Sequence, residues 1–151
     1  MTATIQSLIE IANIHALRLK KALFYIKKIQ PITIEKLKNL SDEELGFSEL
    51  LTSRFAKLQD LIGAKLFPQI LILLQEDEDN STNLDRLYRL EKIGILPSAK
   101  NWIEMRVTRN FITHEYPDDP QLMCENFEKT IKYAEYLLEY WLKLQTEISH
   151  L

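Results

Sequence analysis

The stretch IQSLIEIANIHALRLKKALFYIKKI, residues 5–29, decides the fold class. Its apolar side chains recur at intervals of three and four, the spacing that places them on one face of an α-helix. These residues are Ile5, Leu8, Ile9, Ala12, Ala16, Leu19, Leu23 and Ile26. The lysines of the stretch lie elsewhere on the helix, as solvated residues do. The pattern predicts a long amphipathic helix that is stopped by Pro31.

Start and stop signals predict the elements that follow. The stretch 32–39 is ambiguous and allows one short helical turn or two. Ser41 with Glu44 three residues later has the form of a capping box, which opens a second long helix. Pro68 should kink or split that helix, because proline lacks the N–H that a helix interior needs. The polar, acidic run 76–83 predicts a loop.

Three more helix boundaries can be predicted in the second half of the chain. A short helix over 84–93 should end at Gly94, since glycine adopts the left-handed C-cap conformation at little cost. The next helix should run over 99–114, up to a break in the sequence YPDDP. Asp119 as N-cap, with proline at the first helical position, predicts a final helix over 120–147.

Composition agrees with an all-α protein. The chain has 151 residues, 46% of them hydrophobic, and contains only three glycines and five prolines. This length suits one domain with its own core. We therefore expect residues 1–151 to form a single all-α domain, an up-and-down bundle of four to five antiparallel helices, with residues 1–31 as a possible N-terminal helical extension.

Charge and cysteine content limit the location and the partners. A lone cysteine, Cys124, cannot close an intramolecular disulfide, and neither a secretory signal nor an apolar run of membrane-spanning length is evident. A cytoplasmic protein without membrane contact is expected. The sequence has no Cys/His cluster or calcium loop, so no metal site is predicted. The net charge of −3 provides no global attraction for nucleic acid, so binding would require local positive charge.

The segment RVTRNFITHEYPDD, residues 106–119, concentrates chemically active side chains near a predicted helix end. At about 100° per residue, two faces can be distinguished on this helix. The predicted apolar stripe comprises Ile103, Val107 and Phe111, whereas Arg106, Arg109 and Thr113 gather on a different face. Tyr116, seven residues after Arg109, shares the arginine side.

His114 does not share that side, because a regular helix places it roughly 140° from Arg109. Two arrangements could still bring the two side chains together. The helix could unwind before Pro117, since a residue preceding proline favours extended backbone. Alternatively, a symmetry-related copy could supply a second Arg/His set across a cleft. We prefer the dimer cleft, and so expect a homodimer.

Residues 109–116 resemble a known signature. Arg109, four intervening residues and His114, with polar Asn110 after the arginine and Tyr116 two beyond the histidine, are similar to the motif of the HEPN superfamily. More narrowly, they resemble the HepT-like toxins, whose motif carries that tyrosine. The likeness is close over 109–116 and loose over the helical organisation of 41–144.

The resemblance implies metal-independent endoribonuclease activity without a cofactor. In that chemistry the RNA 2′-hydroxyl attacks its adjacent phosphate, a reaction that DNA cannot perform, so DNA is not an expected partner. His114 would transfer protons, since its unperturbed pKa lies near neutrality. Arg109 would bind the phosphate and stabilise charge on its oxygens. Asn110 would support them by hydrogen bonding.

A second implication concerns Tyr116. In HepT-like systems an MntA-type minimal nucleotidyltransferase, the antitoxin, silences the toxin by attaching AMP to the motif tyrosine. The modification would place negative phosphate and adenosine where RNA should lie.

Other interpretations of the same residues remain open. An Arg/His/Tyr trio near a helix end can be a basic C-terminal cap that meets the helix dipole. The domain could also be a noncatalytic HEPN accessory that binds nucleotide or substrate for a nucleotidyltransferase, or a plain helical interaction protein. The basic residues Arg54, Lys57, Arg86, Arg89 and Lys92 could extend an RNA-binding rim, although a solvated helical face explains them more simply.

Overall fold

The prediction of an all-α fold is confirmed. The computed structural model describes residues 3–112 and 119–151, except for the side chains of residues 110–112. The described part consists of helices, turns and loops, without a β-strand. Its elements are α1 (Ala3–Lys27), α2 (Ile34–Lys38), α3 (Asp42–Asp60), a π-helical segment (Leu61–Leu66), α4 (Phe67–Leu73), α5 (Asn83–Lys92), α6 (Ala99–Ile112) and α7 (Pro120–Ser149).

Helices α1 and α3 pack antiparallel. His15 on α1 lies opposite Arg54 on α3, with 2.9 Å between Nδ1 and Nη1. Further along, the rings of Tyr25 and Phe47 stack with 4.1 Å between their centroids. Residue numbers therefore rise along α1 as they fall along α3, which is the arrangement of neighbours in an up-and-down bundle.

Helix α7 runs antiparallel to α1 on another side. The indole N–H of Trp141 donates to Asn13 Oδ1 at 2.9 Å, and Lys27 forms an ion pair with Glu135 at 2.9 Å. Helix α6 packs against both α3 and α7. The long helices α1, α3, α6 and α7 thus surround one interior.

That interior is a single apolar cluster to which every long helix contributes. Trp141, Phe55 and Phe67 are its largest fully buried side chains. Helix α1 contributes seven buried residues, among them Ile5, the first buried residue of the helix, and Ile26, the last. Burying one such side chain stabilises the fold by about 1.5–3 kcal/mol, so this cluster is the main source of stability.

Local signals placed the helix boundaries correctly. Ser41 accepts from the Glu44 backbone N–H at 3.1 Å, while the Glu44 carboxylate accepts from the Ser41 N–H at 2.9 Å, which completes the predicted capping box. Gly94 ends α5 with a φ of 85°. Asp119 accepts from the N–H of Leu122 at 3.0 Å and caps α7 as predicted.

The interruption expected at Pro68 lies one turn earlier. The π-helical segment precedes it, and the Phe67 N–H bonds to the carbonyl of Ile62 five residues back. Pro68 falls in the first turn of α4, where a missing N–H costs little. The wider turn of the π-helix therefore connects α3 to α4 before the proline is reached.

The apolar stripe predicted on α6 is not the most deeply buried face of the helix in the part that the structure describes. The helix buries Ala99, Trp102 and Met105, whereas Val107 is 49% exposed and Ile103 only partly buried. The side chain of Phe111 lies outside the described residues. Trp102 and Met105 offer more apolar surface than Val107, so α6 turns this face inward.

Of the helices described, none has both the length and the apolarity needed to cross a bilayer.

Candidate functional site

Arg109 lies in the last turn of α6 and reaches across to α3. Its Nη2 donates to Oδ2 of Asp60, the final residue of α3. The Arg109 side chain is 26% exposed and that of Asp60 is 48% exposed. A planar guanidinium held by a carboxylate loses rotational freedom, so Asp60 restricts the directions in which Arg109 can present its N–H groups.

A cleft of about 210 Å³ opens beside this ion pair, between the α3–π junction and α6. It is lined by Gln59, Asp60, Gly63, Ala64, Asn83, Trp102 and Arg106. Arg106 is exposed and precedes Arg109 by one helical turn. Arg106 and the Asp60 carboxylate therefore border the opening, and the Arg109 guanidinium contacts that carboxylate beside it.

Gly63 keeps the cleft open at the π-helical segment. A Cβ atom at this position would lie 3.3 Å from Trp102 Nε1, closer than most Cβ contacts in proteins. Because glycine has no side chain, space remains beside the indole N–H of the otherwise buried Trp102. The π-helical segment, a type of element often found at functional sites, thus brings Gly63 against α6.

Gln59 is the buried polar residue of the cleft. It is 2% exposed, and its Nε2 donates weakly to the backbone carbonyl of Trp102 at 3.5 Å. Its Oε1 is buried and has no hydrogen-bond partner among the described residues. A buried acceptor without a hydrogen bond destabilises a fold by about 1–3 kcal/mol. A bound ligand that donated a hydrogen bond to this oxygen would remove that cost.

The predicted site residues are described to different extents. Arg109 is described in full, and Asn110 is helical in its backbone, with its side chain outside the description. His114 and Tyr116 both lie outside the described residues. The proximity of Arg109 to His114 therefore stays a prediction from the sequence.

The other two histidines occupy different surroundings. His15 is partly buried at the α1–α3 contact, where desolvation first, and then the charges of Arg54 and Lys57, lower its pKa. Its Nδ1 faces the Arg54 guanidinium and accepts from it. His150 is the exposed C-cap of α7. Neither histidine lies in the cleft beside Arg109.

Two basic residues of α5 neutralise the acidic loop. Arg89 forms an ion pair with Glu76 at 3.2 Å and another with Glu78, and Arg86 lies 3.8 Å from Asp77. The positive charges of these two arginines are therefore balanced by carboxylates of the same chain. They are poorly suited to extend a basic rim for RNA.

Cys124 is buried in the α7 face of the core, as a packing residue should be. Burial first, and then the carboxylates of Glu125 and Glu128, raise the pKa of its thiol. The thiolate, which is the reactive form of cysteine, is disfavoured at this position.

Sequence reasoning missed Gln59 and Asp60. Asp60 is separated from Arg109 by 49 positions, and no local pattern marks it as a partner. The contact depends on how α6 packs against α3, which periodicity along either helix does not predict.

Among the residues described, no three His, Cys, Asp or Glu side chains are grouped as ligands for a metal ion. Comparison with protein-family models, with curated proteins and with solved structures found no match to this chain.

Proposed function

We propose that this protein is a metal-independent endoribonuclease toxin of a HEPN/MNT toxin–antitoxin system, in which Arg109 and His114 cleave RNA. The observation that carries the proposal is the position of Arg109: it is held by Asp60 at the edge of an open cleft, five residues before His114. A cytoplasmic homodimer is the form in which we expect it to act.

Arg109 binds the scissile phosphate. A guanidinium has five N–H donors, so phosphate oxygens can share it with the Asp60 carboxylate. As the 2′-oxygen attacks, negative charge grows on the non-bridging oxygens, and a fixed cation stabilises that charge more than it stabilises the ground state. Asp60 is a positioning residue for the phosphate in this scheme, because it acts on the phosphate through Arg109.

His114 transfers a proton in the same step. The 2′-oxygen forms a bond to phosphorus while the bond from phosphorus to the 5′-oxygen breaks. The 2′-hydroxyl proton is removed and the departing 5′-oxygen is protonated, which yields a 2′,3′-cyclic phosphate and a 5′-hydroxyl. An imidazole with a pKa near neutrality can do either, and a second copy of the motif across a dimer cleft would supply the other. Asn110 supports the motif by hydrogen bonding.

Replacement of either motif residue tests this assignment. Arg109→Ala should reduce cleavage by about 100- to 1,000-fold, the usual loss when a preorganised oxyanion donor is removed. His114→Ala should abolish both cleavage and toxicity. Arg18→Ala and His150→Ala are matched controls, since both residues are exposed and neither lines the cleft. Full activity of the His114→Ala protein would refute the assignment.

Tyr116 is the proposed acceptor of AMP from an MntA-type nucleotidyltransferase. The adduct would add negative charge and bulk next to the arginine that binds RNA phosphate. Incubation with the transferase and ATP, followed by peptide mass spectrometry, should locate the adduct on Tyr116. An adduct on another residue, or a Tyr116→Phe protein that is modified equally well, would contradict the proposal.

The cleft favours one alternative function. The Arg106 cation at its edge and the buried oxygen of Gln59 also suit a noncatalytic accessory that binds nucleotide for a nucleotidyltransferase. Nucleotide binding without RNA cleavage by the purified wild-type protein would select this alternative.

A further inference from the structure

The cleft beside Arg109 has the size of a subsite. Its volume of about 210 Å³ is below the roughly 300–1,000 Å³ of sites that enclose a drug-sized ligand. It can therefore receive one ring of a larger molecule whose remainder lies outside. Arg106 and Arg109 are one helical turn apart, about 4.5 Å along the axis of α6. At this spacing, Arg106 can contact a ring in the cleft while Arg109 binds the phosphate of the neighbouring nucleotide unit.

The lining of the cleft selects for N–H donors on that ring. Gln59 has a buried oxygen that finds no partner among the residues the structure describes, and Asp60 lines the cleft with a carboxylate, which accepts hydrogen bonds only. A ligand atom that filled the space above Gly63 would lie within hydrogen-bonding reach of the Trp102 indole N–H, given the 3.3 Å between that space and Nε1. The cleft thus combines acceptors at one side with an indole donor and the Arg106 cation at another.

Cytosine and uracil differ in how they satisfy these groups. Cytosine carries an exocyclic amine, which donates, next to ring acceptors that the indole and Arg106 can bind. Uracil has a carbonyl oxygen where cytosine has the amine. The single ring N–H of uracil therefore lies between two carbonyl oxygens of the base, both of which accept hydrogen bonds. Two oxygens directed at Gln59 Oε1 and the Asp60 carboxylate would repel them and leave the buried oxygen without a donor.

We propose that the cleft between the π-helical segment and α6 is a base-recognition subsite, which accepts an amine-bearing nucleobase such as cytosine and rejects uracil. The proposal rests on the ribonuclease function proposed above, because it places this base beside the phosphate bound at Arg109. It assigns the buried Gln59 oxygen a partner from the substrate.

Binding of hydrolysis-resistant RNA tests the subsite independently of cleavage. The probes are fluorescent 2′-O-methyl tetracytidylate and tetrauridylate, which differ at the amine position of each base and lack the hydroxyl that attacks. Fluorescence anisotropy of the wild-type protein should give at least ~10-fold tighter binding of the cytidine probe, the effect of one hydrogen bond to an otherwise unsatisfied buried group.

Two glycine substitutions provide the matched variants. Gly63→Ala should reduce cytidine binding to the uridine level, because its Cβ fills the space at Trp102. Gly46→Ala, also helical but with open space around its Cβ, should retain the preference. Gln59→Leu removes the buried acceptor and should abolish the preference for the cytidine probe. Equal wild-type affinity for both probes, or a Gly63→Ala protein that retains the preference, would overturn the subsite.

Cleavage assays on the same wild-type preparation separate the two proposals. Cytidine-selective binding without cleavage of natural RNA would support the subsite and reject the ribonuclease. Cleavage of natural RNA without cytidine-selective binding would reject the subsite and leave the ribonuclease intact.

Discussion

The interior enclosed by α1, α3 and α7 differs from the edge where α6 meets the end of α3. The interior is formed by apolar side chains such as Leu19, Phe55 and Leu144, each of which is inaccessible to solvent. The α6 edge instead combines the Arg109–Asp60 ion pair with a buried amide and an open cleft. Packing of apolar side chains in the interior stabilises the protein. The charged groups at the α6 edge are not needed for that packing.

The largest expected effect is on the stability of the interior. Phe55→Ala removes a fully buried aromatic ring and should lower the free energy of unfolding by about 3–5 kcal/mol. Phe24→Ala is the matched control, because Phe24 is 68% exposed on α1 and its loss should change stability by no more than about 0.5 kcal/mol. Urea denaturation followed by circular dichroism measures both. Similar losses in the two variants would show that this interior does not dominate stability.

A smaller effect, on activity alone, is expected at the α6 edge. Asp60→Ala frees Arg109 from its α3 partner and should slow RNA cleavage by ~10-fold while changing the free energy of unfolding by less than about 1 kcal/mol, since the pair is partly exposed. Asp60→Glu should restore part of the rate. Asp79→Ala, in the exposed acidic loop, is the control. If the Asp60→Ala protein unfolded under mild conditions, the ion pair would be shown to stabilise the fold. That result would contradict the distinction between a stabilising interior and an α6 edge that acts on RNA.

The smallest expected effect is a pH dependence at the α1–α3 contact. Burial, with help from Arg54 and Lys57, lowers the pKa of folded His15, so the unfolded chain, with a histidine pKa near 6.5, takes up the proton first. The stabilising contribution of neutral His15 is therefore complete above the unfolded pKa and declines as pH falls below it. The difference in unfolding free energy between wild type and His15→Gln should shrink from pH 8 to pH 5. A difference that grows at acid pH would contradict this reasoning.

The sequence predicted those features of the fold that depend on neighbouring residues. The caps at Ser41, Gly94 and Asp119 were predicted correctly because each depends on a few adjacent groups. Which face α6 buries could not be predicted in the same way, since two apolar faces were available and packing against α3 and α7 selects the one with Trp102.

The candidate site was less predictable because its contacts are distant in the sequence. Arg109 was identified from its motif, but its partner Asp60 depends on the packing of α6 against α3. His114 and Tyr116 were identified from the same motif and lie outside the described residues. Their roles stay predictions that the substitutions above test.

Cleavage of a defined RNA in excess chelator most directly tests the claim that an arginine and a histidine of this chain cut RNA through its own 2′-hydroxyl. Wild-type protein is mixed with the RNA and with the same RNA carrying one 2′-O-methyl group at the mapped cleavage nucleotide, and the ends of the products are identified by mass spectrometry. We predict 2′,3′-cyclic phosphate and 5′-hydroxyl ends from the first RNA and no cut at that position in the second. Equal cleavage of both, or 3′-hydroxyl and 5′-phosphate ends, would contradict the account.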